Sequence, residues 1–327
     1  GVLCAGGYKT VYDADAGLYD VVPANAKVTL TRQLTVSNDL SMTYLAKMPE
    51  TYTNPYAVFN FYSAVNGWVE STVPGELRTD GRYAFKFTGI NPQRMNDTLK
   101  ITIYATVDGE AQAITAERED SVVKYCNAYL TQLKNNEDPK YNKWTEIIGN
   151  MAEYGAASQK YMNYRMDTLV NGLVTGTTTK DYTDQVESIS KFNGVTKVAG
   201  GITIKSAKML LSSSYAMRVY FTLDEGVNPN TVRFTAQVEG NSGEFTEFGT
   251  ETQNGATRYY FDFSGMTAKQ LNSKIMVKSF VNGVENDTLE YSVNMYLAHY
   301  IQKPSSDANW NNLVKWLFNY GYACMNY

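Results

Sequence analysis

The chain carries one pattern twice. Trp144, Tyr154 and Gly155 recur as Trp310, Tyr320 and Gly321, each pair 166 residues apart. Ser121 and Tyr125 recur as Ser292 and Tyr296 at a spacing of 171, and an insertion of five residues around Asn135–Tyr141 accounts for the change. Farther upstream, Lys100-Ile101 and Val107-Asp108-Gly109 return as Lys274-Ile275 and Val281-Asn282-Gly283, 174 residues on. Tyr83, Phe85 and Phe87 return as Tyr259, Phe261 and Phe263. Blocks matched in one order predict that both halves fold into the same kind of unit.

Within each copy the alternating stretches come first. They are Ser41–Met48, Ala57–Phe61, Tyr83–Phe87 and Ile101–Val107, then Met217–Leu223, Thr231–Val238, Arg258–Phe263 and Ile275–Val281. Val219, Phe221 and Leu223 alternate with Arg218, Tyr220 and Thr222, the period of a strand buried on one face. Asn66-Gly67, Asp80-Gly81, Asp108-Gly109 and Asn282-Gly283 suit tight hairpin turns, because these residue types accept positive φ. Two helices follow. Asp120 or Ser121 caps a helix over Val122–Leu133, and a second runs from about Asn142 to Met162. Their counterparts are Tyr291–Ile301 and Asn309–Asn326, the latter with Leu313, Val314, Leu317, Phe318 and Gly321 on one stripe.

The expectation is an α+β chain of two tandem repeats, each an antiparallel β-sandwich followed by a helical pair, packed as a bilobed body. The first repeat covers 1–190, with its sandwich over about 27–110 and its helices over about 121–172. The second covers 191–327, with its sandwich over about 200–285 and its helices over about 291–326. Thr175–Lys180 reads as a surface connection.

Composition then removes whole classes of function. Apolar residues make up 43% of 327, enough for a real core. Basic residues number 29 against 33 acidic ones, the wrong balance for a nucleic-acid binder. No apolar run approaches the length of a membrane span. A lone histidine, His299, excludes centres that need several. Cys4, Cys126 and Cys324 fit neither a zinc ribbon nor a disulfide framework. Glu76, Asp80, Glu117 and Glu119 sit in turns or at a helix start, where capping explains them. They do not read as the facing pair a glycosidase needs. His299 lies mid-helix between Tyr296 and Tyr300, and its first-copy counterpart is Ala128. Asn135–Asp138 lacks the twelve-residue pattern of a calcium loop. The reading is no enzyme, no cofactor and no metal.

Aromatics remain, with 26 Tyr, 13 Phe and 4 Trp. Most belong to the core by their spacing. The informative ones stand where a polar residue is expected. Trp68 follows a turn, and Tyr260 points outward between Tyr259 and Phe261. Trp316 lies beside Lys315, off the apolar stripe, where the first copy has Asn150. Tyr322 replaces Ala156 on the helix side shared with Lys315 and Asn319. A ring covering one sugar face removes on the order of 50–100 Å² from water, roughly 1–2 kcal/mol. Several rings along a groove therefore give useful affinity. The candidate carbohydrate-binding set is Trp68, Trp316, Tyr322, Tyr260, Lys315 and Asn319, and a groove using both tryptophans would run between the copies. Trp144 and Trp310, present in both, read as pins of helix to sandwich.

Glu153-Tyr154-Gly155-Ala156-Ala157-Ser158-Gln159 and Leu317-Phe318-Asn319-Tyr320-Gly321, each following a turn and a tyrosine-bearing helix, carry a resemblance. The chain resembles the β-sandwich-plus-helix repeats of secreted, dockerin-bearing proteins of gut Clostridia such as ruminococci. It looks most like the starch-binding domains of amylosome starch adherence system proteins. That resemblance implies a secreted or cell-surface protein binding starch or maltooligosaccharides, without hydrolysis, in a groove between sandwich and helices. It also implies cohesin–dockerin assembly through regions outside this chain. The second copy departs from the pattern at Trp316 and at Tyr322-Ala323-Cys324-Met325. The alternative is a structural or protein-interaction module of a cell-surface glycan-degrading complex, and a hydrolase ranks third.

Overall fold

The computed structural model describes residues 8–13, 18–23, 28–36, 40–210 and 216–327. Cys4 and Lys27 lie outside the described residues. Among the described residues strands predominate, every strand pairing is antiparallel, and two longer helices follow the strands of each unit, so the class is α+β. One compact unit ends at Thr179 and another begins at Lys180.

The first unit opens with a hairpin of β1 (Tyr8–Asp13) and β2 (Leu18–Pro23). One sheet then holds β3 (Thr31–Val36), β4 (Leu40–Ala46), β7 (Glu76–Leu77) and β8 (Tyr83–Ile90) in the order β3-β4-β8-β7. The other holds β5 (Thr53–Ser63), β6 (Gly67–Pro74), β9 (Leu99–Val107), β10 (Glu110–Ala113) and β11 (Arg118–Asp120). Its order is β10-β9-β5-β6, with β11 also paired to β9. Alternation decides the inner face. Ala57, Phe59 and Phe61 of β5 are buried, as are Leu99, Ile101, Ile103 and Ala105 of β9. Phe59 and Phe61 meet Phe87 of β8 at 5.2 and 5.1 Å between ring centres, which joins the two sheets into a sandwich.

The second unit has β12 (Gly194–Thr196), β13 (Ile202–Leu210), β14 (Ala216–Leu223), β15 (Val232–Val238) and β16 (Asn241–Phe245). It continues with β17 (Gly249–Gln253), β18 (Ala256–Phe263), β19 (Ile275–Val281) and β20 (Val284–Tyr291). The sheets run β13-β14-β18-β17 and β12-β20-β19-β15-β16. Phe234 of β15 meets Phe221 of β14 at 4.5 Å and Phe261 of β18 at 4.9 Å, again across the sandwich. Asp108-Gly109 and Asn282-Gly283 turn with φ of 52° and 85°, and 51° and 82°, as two-residue hairpins require.

Two helices close each unit: α1 (Val122–Asn135) and α2 (Tyr141–Met162), then α3 (Val293–Gln302) and α4 (Ala308–Met325). Ser121 is the cap of α1, its Oγ accepting from the Lys124 amide at 3.1 Å, and Ser292 caps α3 in the same way. Asp120 is not the cap. Its carboxylate is buried and held by Arg32 and the Tyr44 hydroxyl. Tyr291 ends β20 rather than opening α3. Trp144 meets Tyr129 of α1 edge-on at 5.4 Å, and Trp310 meets Tyr300 of α3 at 5.6 Å. Both tryptophans thus join the two helices of a pair, and Trp144 also lines a cavity of about 280 Å³ against Gln33–Val36 of β3. The repeated Tyr-Gly packs each second helix on a short 3-10 turn. Tyr154 and Tyr320 are buried, Gly155 faces the turn Pro92–Arg94, and Gly321 faces Ala268–Gln270. Among the described residues no helix is long and apolar enough to cross a membrane.

Candidate functional site

Of the six candidates, only Trp68 belongs to the first unit. On α4, Lys315 binds Asp181 at 2.6 Å and lies 5.4 Å from the Trp316 ring centre. Tyr322 stacks obliquely on Tyr182 at 5.0 Å, and its hydroxyl lies 3.1 Å from Ser188 Oγ. Asn319 is fully buried. Its Oδ1 accepts from the Tyr182 amide at 2.8 Å, and its Nδ2 faces Asp181, so it holds the chain and is closed to a ligand. This face of α4 therefore receives the segment around Asp181–Ser188. Partial burial opposes ionisation of Asp181, but Lys315 and Thr183 outweigh it and hold the carboxyl at about 2. Tyr260 is half-buried under the Arg218 guanidinium, which lies 3.9 Å from its ring centre and pairs with Asp262 at 2.7 Å.

Trp68 stands differently. It is the second residue of β6, is 49% exposed, and meets Tyr62 edge-on at 5.4 Å. Register places it on the outward face of the β10-β9-β5-β6 sheet. Tyr62 pairs with Trp68, Asn60 with Glu70 and Lys100, and Tyr56 with Tyr104. The Lys100 ammonium lies 5.1 Å from the indole centre and is held by Glu117 at 3.0 Å and Glu119 at 3.3 Å. Tyr56 and Tyr104 stack at 5.3 Å, six residues down β5 from Tyr62. At about 3.3 Å per residue that is roughly 20 Å away, so the face is long enough for several consecutive sugars.

A network centred on the buried Asp97 and Ser63 fixes the loop that carries Trp68. Ser63 Oγ accepts from the amides of Val65 and Asn66. The Ala64 amide donates to the Tyr164 hydroxyl at 3.0 Å, and that hydroxyl donates to Asp97 at 2.6 Å. Asp97 is buried and also receives Arg94 and Arg165. Arg94 reaches back to the Tyr62 carbonyl at 2.6 Å. The indole is therefore presented on a braced hairpin, which lowers the ordering cost of binding. Outward positions of the β20-β19-β15-β16 sheet carry the ion pairs Arg233 with Glu244 and Lys278 with Glu285, and the ring there, Phe280, is covered by the Arg233 guanidinium at 4.2 Å. Tyr62, Asn60, Lys100, Tyr56 and Tyr104 were missed as site residues by sequence reasoning. The signal was the alternation Tyr56, Val58, Asn60, Tyr62 along β5.

Asp80, Glu117 and Glu119 take part in local ion pairs. Arg82 holds Asp80 below the usual carboxylate range, the direction opposite to that of a glycosidase acid. Asp138 accepts from the Lys140 amide at 2.8 Å in a tight turn, and among the described residues no cluster of three or more metal-binding side chains occurs. No model of a known protein family matches this chain, and no curated protein matches it either.

Proposed function

We propose that this chain is a non-catalytic carbohydrate-binding protein, secreted or held at the cell surface, whose sugar contacts centre on Trp68. The observation that carries the reading is the half-exposed indole beside Tyr62, Asn60, Glu70 and Lys100 on one braced sheet face. An apolar ring bordered by amide, carboxylate and ammonium groups matches the mixed surface of a pyranose, with its C–H face and rim of hydroxyls. Starch, which the sequence resemblance implies, is the first glycan to try. The reading includes duplication of one sandwich-plus-helices unit, supported by the same strand succession in β3-β4-β8-β7 and β13-β14-β18-β17. The test is migration in native gels containing amylopectin, xylan or β-glucan, with a parallel assay for released reducing sugar. Retardation by at least one polymer without sugar release is expected. Sugar release lost on changing one carboxylate would replace the reading with an enzyme.

The second reading, a protein-interaction module of a cell-surface glycan-degrading complex, draws on exposed apolar side chains near the same hairpin. Val65 at the turn is 78% exposed and Val69 of β6 50%. Under that reading no polymer retards the chain, and Val65→Ser with Val69→Ser abolishes capture of a partner protein.

A further inference from the structure

We infer that the Trp68 face admits neutral glycans and rejects anionic ones, an inference that rests on the carbohydrate reading. Lys100 is the one basic side chain that strands β5, β6, β9, β10 and β11 place on this outward face among the described residues. It would be the natural anchor for a uronic acid. Its charge is already matched by Glu117 and Glu119, which are 51% and 54% exposed and so stand in the path of an arriving chain. Glu70 adds a third carboxylate. It is exposed and lies across β5 from Lys100, through Asn60. Strands lie about 4.8 Å apart, which puts Glu70 roughly 10 Å from Lys100. Measured from Trp68 the charges are nearer. The Lys100 ammonium, with its two carboxylates, lies 5.1 Å from the indole centre. Glu70 stands two residues along β6, about 7 Å away. All four charges therefore act within the screening length of about 8 Å on a carboxylate seated on Trp68.

Three carboxylates against one amine repel an anion. A neutral sugar meets no such field. The ammonium has three donors, and its two carboxylate partners leave one for a hydroxyl, while Asn60 and Glu70 supply a donor and acceptors. Glu117 and Glu119 are thus specificity-determining residues: they occupy the cation that an acidic polymer would otherwise recruit.

The experiment compares one backbone with and without charge. It uses whichever of amylopectin, xylan or β-glucan retards the protein and the carboxymethylated form of that polymer, in native gels at low salt. The wild-type chain is expected to be held about tenfold more weakly by the charged form, a difference of about 1.4 kcal/mol. Added salt should narrow the gap, and Glu117→Gln with Glu119→Gln should bring the two forms within about twofold. A gap that neither salt nor the double variant changes is steric and overturns the inference, leaving the carbohydrate reading intact. Equal retention of both polymers by the wild-type chain overturns it too. Failure of every neutral polymer to retard the protein removes both.

Discussion

A methyl group added at Gly155 would stand 3.0 Å from the Pro92 carbonyl oxygen and collide with the end of Met95. Helix α2 meets the 3-10 turn backbone to backbone, and only glycine permits that approach. Elsewhere in a helix, Gly→Ala stabilises by about 1 kcal/mol. Here the sign reverses. Gly155→Ala is expected to lower stability by about 1–3 kcal/mol, read as a lower urea midpoint at unchanged slope. Gly321→Ala should cost less, because the group it crowds is the flexible end of Leu271 and the Ala268 carbonyl is 3.4 Å away. A gain in stability at Gly155 would contradict the packing described.

The Asp120 carboxylate is fully buried against Arg32, Arg118, the Tyr44 hydroxyl and the Ser121 amide. Removing it leaves Arg32 charged and enclosed. Asp120→Ala is expected to destabilise by about 3–5 kcal/mol in chemical denaturation. A loss under about 1 kcal/mol would mean that water reaches the guanidinium freely.

Much of the fold was legible because period and turn chemistry are local. Leu313, Val314, Leu317 and Phe318 are all buried, as their spacing requires. Asn254-Gly255, not read from sequence, turns β17 into β18 with positive φ at both residues, as Asp108-Gly109 and Asn282-Gly283 do. Tyr220 shows where local reasoning ends. Its place on the strand is outward, yet it is buried, because Arg258 and Lys208 from neighbouring strands lie over its ring at 4.3 and 4.8 Å. Long cationic side chains that cover an aromatic face leave no periodic trace. Asn319 was misread for a similar reason: the helix pattern marks its face as polar but cannot show that the chain near Tyr182 lies on it. Trp68 was legible from its position after a turn, whereas Lys100 joined it only through strand register.

The Lys315–Asp181 pair makes a pH prediction. The folded carboxyl sits at about 2, below its ordinary 3.8. A depressed pKa stabilises above the unfolded value, and the contribution is lost as pH falls through the folded one. Lys315→Met should therefore lower the melting temperature at pH 7 slightly, by what a surface pair contributes, about 0.2–1 kcal/mol. At about pH 1, below the folded value, variant and wild type should melt together. A difference that persists there would assign the effect of Lys315 to its ammonium beside the Trp316 ring.

The most direct measurement is retardation of Trp68→Ala beside wild type in gels of the polymer that holds the wild-type chain. The sheet-face site predicts weaker retention by roughly 1–2 kcal/mol, the transfer energy of one covered sugar face. The melting temperature should stay within a few degrees, since the indole is 49% exposed. Trp316→Ala, set among Lys315 and Asp181 in the other unit, should leave retention unchanged. Undiminished retention of Trp68→Ala, or loss of retention in Trp316→Ala alone, would contradict the account.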